Sequence, residues 1–378
     1  MKFFRFALLG MVVILCLLFS CSIWEAAFDE SAENENTGLE TGQVEGIEDE
    51  EETEDVENPE EDLPEQEGPP ESEILDETQI PEFLGFSAVS EREIIFEFSL
   101  PVRVLDLTFD PENEIEEIEE GSEVRIILAD SFESGQLVEA GILIENDDGD
   151  SFNELIYFRA MNSRVPILVI NELRTQFSGS ALTSEFIEFK ILSEGNLGGL
   201  RVYAESNYKN PLIYQFEPVE VEEGEYVVLH LRTLEDSCID EYGDDLDESG
   251  GNDSSPTARD FWIPGSAKLL RKTDVVYVLD QDDNVLDAVM IAEKQDTFWE
   301  KDYFAAAAEF LYQKGAWVSA GDEIPGPADA VNSSGIGTVI TRSISRDETS
   351  ENTRSAADWY TTASKGATPG RENTPRGL

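Results

Sequence analysis

In SEFIEFKIL, residues 184–192, the side chains alternate in character. Ile187, Phe189 and Ile191 fall on one side of an extended chain, and Glu188 and Lys190 on the other. Period-two alternation is the signature of a strand that buries one face. Such a strand needs neighbours, and they are close in sequence. VPILVINELRT (165–175) lies about ten residues before it, and LGGLRVYAE (197–205) and VEVEEGEYVVLHL (219–231) lie after it. In the last, Glu223-Gly224 makes a turn and Tyr226 to Leu231 a strand. TDVVYVLDQDDNVLDAVMI (273–291) reads as a hairpin with its turn near Gln281 to Asn284.

The same pattern extends toward the N-terminus. In REIIFEFS (92–99), Ile94, Phe96 and Phe98 share a face; in EVRIILAD (123–130), Val124, Ile126 and Leu128 do. VEAGILIE and ELIYFRA are similar, and DPEN, EEG and NDDGD separate the runs as turns. The expected fold is all-β: two β-sandwich domains in tandem, over residues 81–165 and 166–374, with one helical insertion in the second. The insertion is DTFWEKDYFAAAAEFLYQKG (296–315). Thr297 and Glu300 read as a capping box and Gly315 as the stop. Trp299, Tyr303, Ala307 and Phe310 recur at helical spacing, a stripe suited to covering the sandwich.

Upstream of residue 81 the composition changes. Lys2 and Arg5 precede an apolar run, Phe6 to Phe19, of about 14 residues. That is short of the roughly 20 needed to span a bilayer, so residues 1–20 read as a signal peptide. The run ends in Leu18-Phe19-Ser20-Cys21, which resembles a bacterial lipobox. The resemblance implies cleavage before Cys21 and its lipidation; Phe19 is bulkier than the common pattern. Residues 21–80 then form a linker, with no Lys or Arg from Asp29 to Glu77. Such a segment cannot bury enough apolar surface to offset its ordering entropy, so it is expected to be a disordered acidic spacer. As a coil it would reach about 40–45 Å.

The whole chain has 25 basic and 83 acidic residues, a formal charge of −58. That charge disfavours nucleic acid, whose binding rests on Lys and Arg, and suits cations or basic surfaces. Of the three cysteines, Cys16 is in the leader, and if Cys21 is lipidated Cys238 has no intramolecular disulfide partner.

The ordered set of motifs in residues 166–374 suggests a family. Ile170-Asn171-Glu172, then Glu185-Phe186-Ile187-Glu188-Phe189, then EGEYVVL and DNVLDAVMI, then Trp359 and Thr368-Pro369-Gly370 with Asn373, resemble the lamin-tail domain of secreted bacterial proteins. The resemblance implies an immunoglobulin-like sandwich used for binding or scaffolding. It also implies structural roles for Asn171, Glu172, Glu185, Glu188, Trp359, Thr368, Pro369, Gly370 and Asn373. Asn171 and Glu172 read as a strand end, where side chains satisfy free backbone groups. Pro369-Gly370 reads as a turn. Residues 81–165, through FSLPV (98–102), resemble bacterial immunoglobulin-like domains.

No catalytic constellation is found. The single histidine, His230, alternates with Tyr226 and Val228 and reads as a sheet residue. There is no P-loop, dinucleotide fingerprint or nucleophile elbow. The acidic loop EDSCIDEYGDDLDESGGNDSSP (235–256) lacks EF-hand spacing and reads as a solvated loop. Its calcium candidates are Asp240, Asp244, Asp245 and Asp247; the expectation is no cofactor. The chain therefore reads as a non-catalytic lipoprotein of the bacterial envelope, periplasmic or surface-exposed, with the membrane as one partner and an unidentified envelope or extracellular ligand as the other. The alternatives are a calcium-dependent adhesin and an accessory to a secreted metal-dependent nuclease or phosphoesterase, since lamin-tail domains often accompany such enzymes.

Overall fold

The computed structural model describes residues 80–321 and 323–377. The leader, Cys21 and the acidic run to residue 79 lie outside the described residues. The fold is all-β with one helical insertion, as expected.

The first module contains β1 (Phe83–Ser90), β2 (Glu93–Asp110), β3 (Ile115–Glu119), β4 (Gly121–Leu128), β5 (Leu137–Glu145) and β6 (Ser151–Arg159). They form one six-stranded sheet in the order β3-β4-β2-β5-β6, with β1 also on β2. At 18 residues, β2 is long enough to serve two sets of neighbours. Its first half pairs with β1 and β4, its second half with β5. The changeover falls between Glu97 and Arg103, around Pro101, which has no N–H to give to a ladder. The sheet thereby wraps a core of Phe96, Val124, Ile126, Leu128, Ile144 and Phe158. The β5–β6 turn is a charged hairpin in which Asn146 Oδ1 accepts from Asp148 N and Asp150 N.

The second module is a two-sheet sandwich. One sheet joins β7 (Leu168–Arg174), β8 (Phe186–Ile191), β13 (Tyr226–His230), β14 (Arg259–Trp262), β18 (Ile344–Arg346) and β19 (Trp359–Thr361), in the order β14-β13-β8-β7-β18-β19. The other joins β10 (Arg201–Ala204), β11 (Leu212–Gln215), β15 (Asp274–Leu279), β16 (Val285–Ala292) and β17 (Val331–Asn332), in the order β11-β10-β15-β16-β17. A short pair, β9 (Gly195–Asn196) and β12 (Glu220–Val221), closes one end. Ile187, Phe189 and Ile191 point into the core between the sheets, as their alternation requires.

Helix α1 spans Asp302–Gln313, later than the capping-box reading implied. Its N-cap is Lys301, without a side-chain cap, so Thr297 and Glu300 do not form that box. Gly315 does end the helix: it has φ +65°, and Ala316 N bonds back to Leu311 O, the 6→1 bond of a Schellman turn. The buried face is Phe304, Ala307, Ala308 and Leu311; Ala307 is on it as the spacing implied, while the positions beside Tyr303 and Phe310, not those residues themselves, complete it. Trp299, Tyr303 and Phe310 are only partly buried beside it.

The modules touch directly. Asn162 donates to the carbonyls of Asn196 and Gly198, and Gln281 both donates to Ala160 O and accepts from Asn162 N. A Cβ on Gly135 would stand 2.1 Å from the Gly198 carbonyl carbon, so only glycine fits at this junction.

Candidate functional site

In the second module, the face of the β14-β13-β8-β7-β18-β19 sheet turned away from the sandwich core carries Asn171, Glu172 and Glu188. A bulge between Ile170 and Glu172 decides how they are presented. Asn171 is the extra residue, so Asn171 and Glu172 sit inside β7 and not at its end, as the sequence had suggested. The backbone freed at the bulge is taken up from elsewhere. Ile170 N donates to Asp287 Oδ2 at 2.7 Å, and Arg346 Nε donates to Ile170 O at 2.7 Å.

From the bulge, one cross-strand row runs Ser345, Glu172, Glu188, Val228, Asp260. The C-terminal segment lies over this row and is bound by its acids. Glu172 accepts from Thr368 N at 2.9 Å and from the hydroxyls of Ser343 and Ser345. Glu188 accepts from Gly370 N at 2.6 Å and Asn171 Nδ2 at 2.8 Å. Glu348 accepts from Asn373 N, Tyr226 Oη and Lys190 Nζ. Asn373 Nδ2 reaches the carbonyls of Asn171 and Arg346, both at 3.0 Å. Pro369-Gly370 forms the turn, closed by Arg371 N to Thr368 O, with Gly370 at φ +76°.

The electrostatics follow from burial. Glu188 is pushed well above the usual carboxylate range, first by burial and then by the charge of Glu172 opposite. Burial also raises Glu172. Burial acts on Glu348 in the same sense, but hydrogen bonds led by Lys190 outweigh it and hold that carboxyl below its ordinary value.

A second row carries a π ladder. The Arg174 guanidinium lies over Phe186, Phe186 meets His230 edge-on, and His230 stacks on Trp262 at 3.7 Å. His230 Nε2 contacts Asp260 Oδ1 at 2.7 Å, while its buried Nδ1 has no partner among the described residues. Glu185 stands apart from the acids that bind the C-terminal segment and makes a two-pronged buried pair with Arg232. Trp359 is in the core, with Arg346 stacked on its ring.

The acidic loop is more tightly built than a solvated loop. Asp240 accepts from Trp262 N and Tyr242 Oη, and buried Glu241 from Ser249 N and Asp260 N. Asp245 accepts from Asp247 N, and Asp244, Asp245 and Asp247 are exposed. Among the described residues no group of three or more His, Cys, Asp or Glu side chains is placed to hold a metal ion. Sequence reasoning missed Asp287, Ser343, Ser345, Arg346 and Glu348. Only Asp287 left a signal, as an acid inside the apolar run VLDAVMI.

Residues 166–361, just over half of the chain, match the family model described as TP_1001_2nd, protein second domain. The chain belongs to this family. The matched span ends with β19 and leaves out the C-terminal segment that the acids bind. An uncharacterized protein of Treponema pallidum (strain Nichols) is 29% identical over 181 residues, 44% of each chain. The chain thus spans less than half the length of that relative. A crystal structure of a DUF4876 family protein from Bacteroides thetaiotaomicron VPI-5482 overlaps 69% of this chain and 88% of its own, at 9% identity and a TM-score of 0.26.

Proposed function

We propose that the chain is a lipid-anchored, non-catalytic binding or scaffolding module of a bacterial cell envelope, periplasmic or surface-exposed. The observation that carries this reading is Leu18-Phe19-Ser20-Cys21 at the end of a short apolar run that follows Lys2 and Arg5. Two or more acyl chains make a stable anchor, each buried CH₂ contributing about 0.8 kcal/mol. The acidic run after Cys21 would act as the spacer, and residues 81–165 and 166–374 as immunoglobulin-like and lamin-tail-like domains.

The chemistry of the sandwich supports the non-catalytic part. Carboxylates that a hydrolase would turn toward substrate are here turned toward the chain itself: Glu172, Glu188 and Glu348 accept backbone N–H bonds from residues 368–373.

The test is mass spectrometry of the N-terminal peptide of the native protein. The expected result is a diacylglyceryl group on Cys21, lost together with membrane fractionation in Cys21→Ala. An unmodified Cys21 in the native protein overturns the anchoring.

A further inference from the structure

Sheet edges in this fold are guarded, with two exceptions. The edge strand β3 has five residues, three of them glutamate. In the sandwich, the edge strands β11, β14, β17 and β19 have two to four residues each. Short or charged edges resist pairing with another chain. In contrast, β1 is eight residues without a charge, and among the described residues it pairs only with β2. The other exception, β6, is nine residues long and among the described residues pairs only with β5. Leu155 and Tyr157 on β6 are 54% and 57% exposed, and Leu84 on β1 is 63% exposed.

These two edges open on the same place. A cleft of about 680 Å³ is lined by Phe86, Ser87 and Ala88 of β1 and by Tyr157, Phe158 and Arg159 of β6. Its floor includes Met161 and Val165, and the second module closes it with Arg201 and the loop Asp280 to Asp282. Phe86 and Phe158 meet at 5.4 Å, so the gap has an aromatic base.

We propose that this cleft receives an extended segment of a partner protein, which adds as a strand to the β6 edge and is apolar on one face and basic on the other. Strand addition uses free edge N–H and C=O groups for affinity and alternate side-chain pockets for selection. Charge selects the basic face. Arg159 is already neutralised by Glu217 and Arg201 by Asp283, whereas Asp282 has no cationic partner among the described residues. A second copy of this chain is disfavoured by the formal charge of −58 on each. The inference deepens the binding-module reading and rests on it for the partner's biological setting.

The test uses the full-length chain and the peptide acetyl-KVKVKVKV-amide, read by hydrogen exchange and by titration. The expected result is protection of amides in residues 151–159, and at least tenfold weaker binding to the Leu155→Lys/Tyr157→Lys variant with its melting temperature unchanged. The peptide N-methylated at alternate residues, and the EVEVEVEV analogue, are expected to lose binding. No protection of β6, or equal binding of the N-methylated peptide, overturns strand addition. Equal binding of the acidic analogue overturns the basic partner. A dimer in light scattering that dissolves in the Lys variant makes the occupant a second copy and overturns a separate partner. An unacylated Cys21 would remove the anchoring and leave strand addition standing, so the two failures are distinguishable.

Discussion

Glu172 and Glu188 lie directly opposite each other on β7 and β8, both fully buried, and each holds a backbone N–H of the C-terminal segment. Like charges facing across a ladder oppose each other. Here burial and the charge of Glu172 hold Glu188 well above the ordinary carboxylate range, and each side chain is occupied by an N–H donor of the C-terminal segment.

That arrangement sets a pH dependence. The folded-state value for Glu188 lies above the unfolded value of about 4.3, so the folded chain keeps a proton that the unfolded chain has lost. Its contribution is fully present below the unfolded value and is lost as pH rises through the folded one. Asp274, pushed up to about 7 by burial, acts in the same direction. Urea midpoints are therefore expected to fall from pH 5 to pH 8, and Glu188→Gln to flatten the slope. An unchanged slope in Glu188→Gln would remove Glu188 from the explanation.

Gly370 combines a left-handed backbone with no room for a side chain. A Cβ there would stand 2.4 Å from Ser255 Cβ and 2.8 Å from Ala258 Cβ. Gly370→Ala is expected to cost about 2 kcal/mol or more. Gly243→Ala serves as the control, since nothing lies within 4 Å of a Cβ built there. Thermal unfolding of both variants decides it, and equal melting temperatures would refute the role.

The Glu185–Arg232 pair is buried at both ends. Replacing Arg232 with Met leaves a carboxylate uncompensated and is expected to cost about 3–5 kcal/mol. Arg232→Met/Glu185→Leu should recover much of that loss. Denaturant titration of the single and double variants measures the difference; a double variant as unstable as the single would contradict it.

Burial raises the Cys238 thiol above its ordinary value, which lowers its thiolate fraction at neutral pH. Alkylation by iodoacetamide at pH 7.5 is expected to be slower in the folded chain than in urea. Equal rates would contradict the burial seen around this residue.

Local alternation made much of the fold legible. The facing of Ile187, Phe189 and Ile191, the hairpin turn at residues 281–284, the Pro369-Gly370 turn and the Gly315 helix stop all follow from contacts a few residues apart. The helix start was misread because Thr297 and Glu300 have the composition of a cap without its backbone. The acidic loop was misread because its carboxylates bind amides of β14, which the loop's own sequence does not show.

Residue spacing and composition were enough to determine an all-β chain with one helical insertion and a formal charge of −58, because strand and helix periodicity are local and net charge is additive. Only the tertiary structure could bring Glu172, Glu188 and Glu348 to residues 368–373, or set the open edges of β1 and β6 on one cleft. Those pairings join residues up to about 200 positions apart, and they depend on a bulge and on packing between sheets that no short window of sequence encodes.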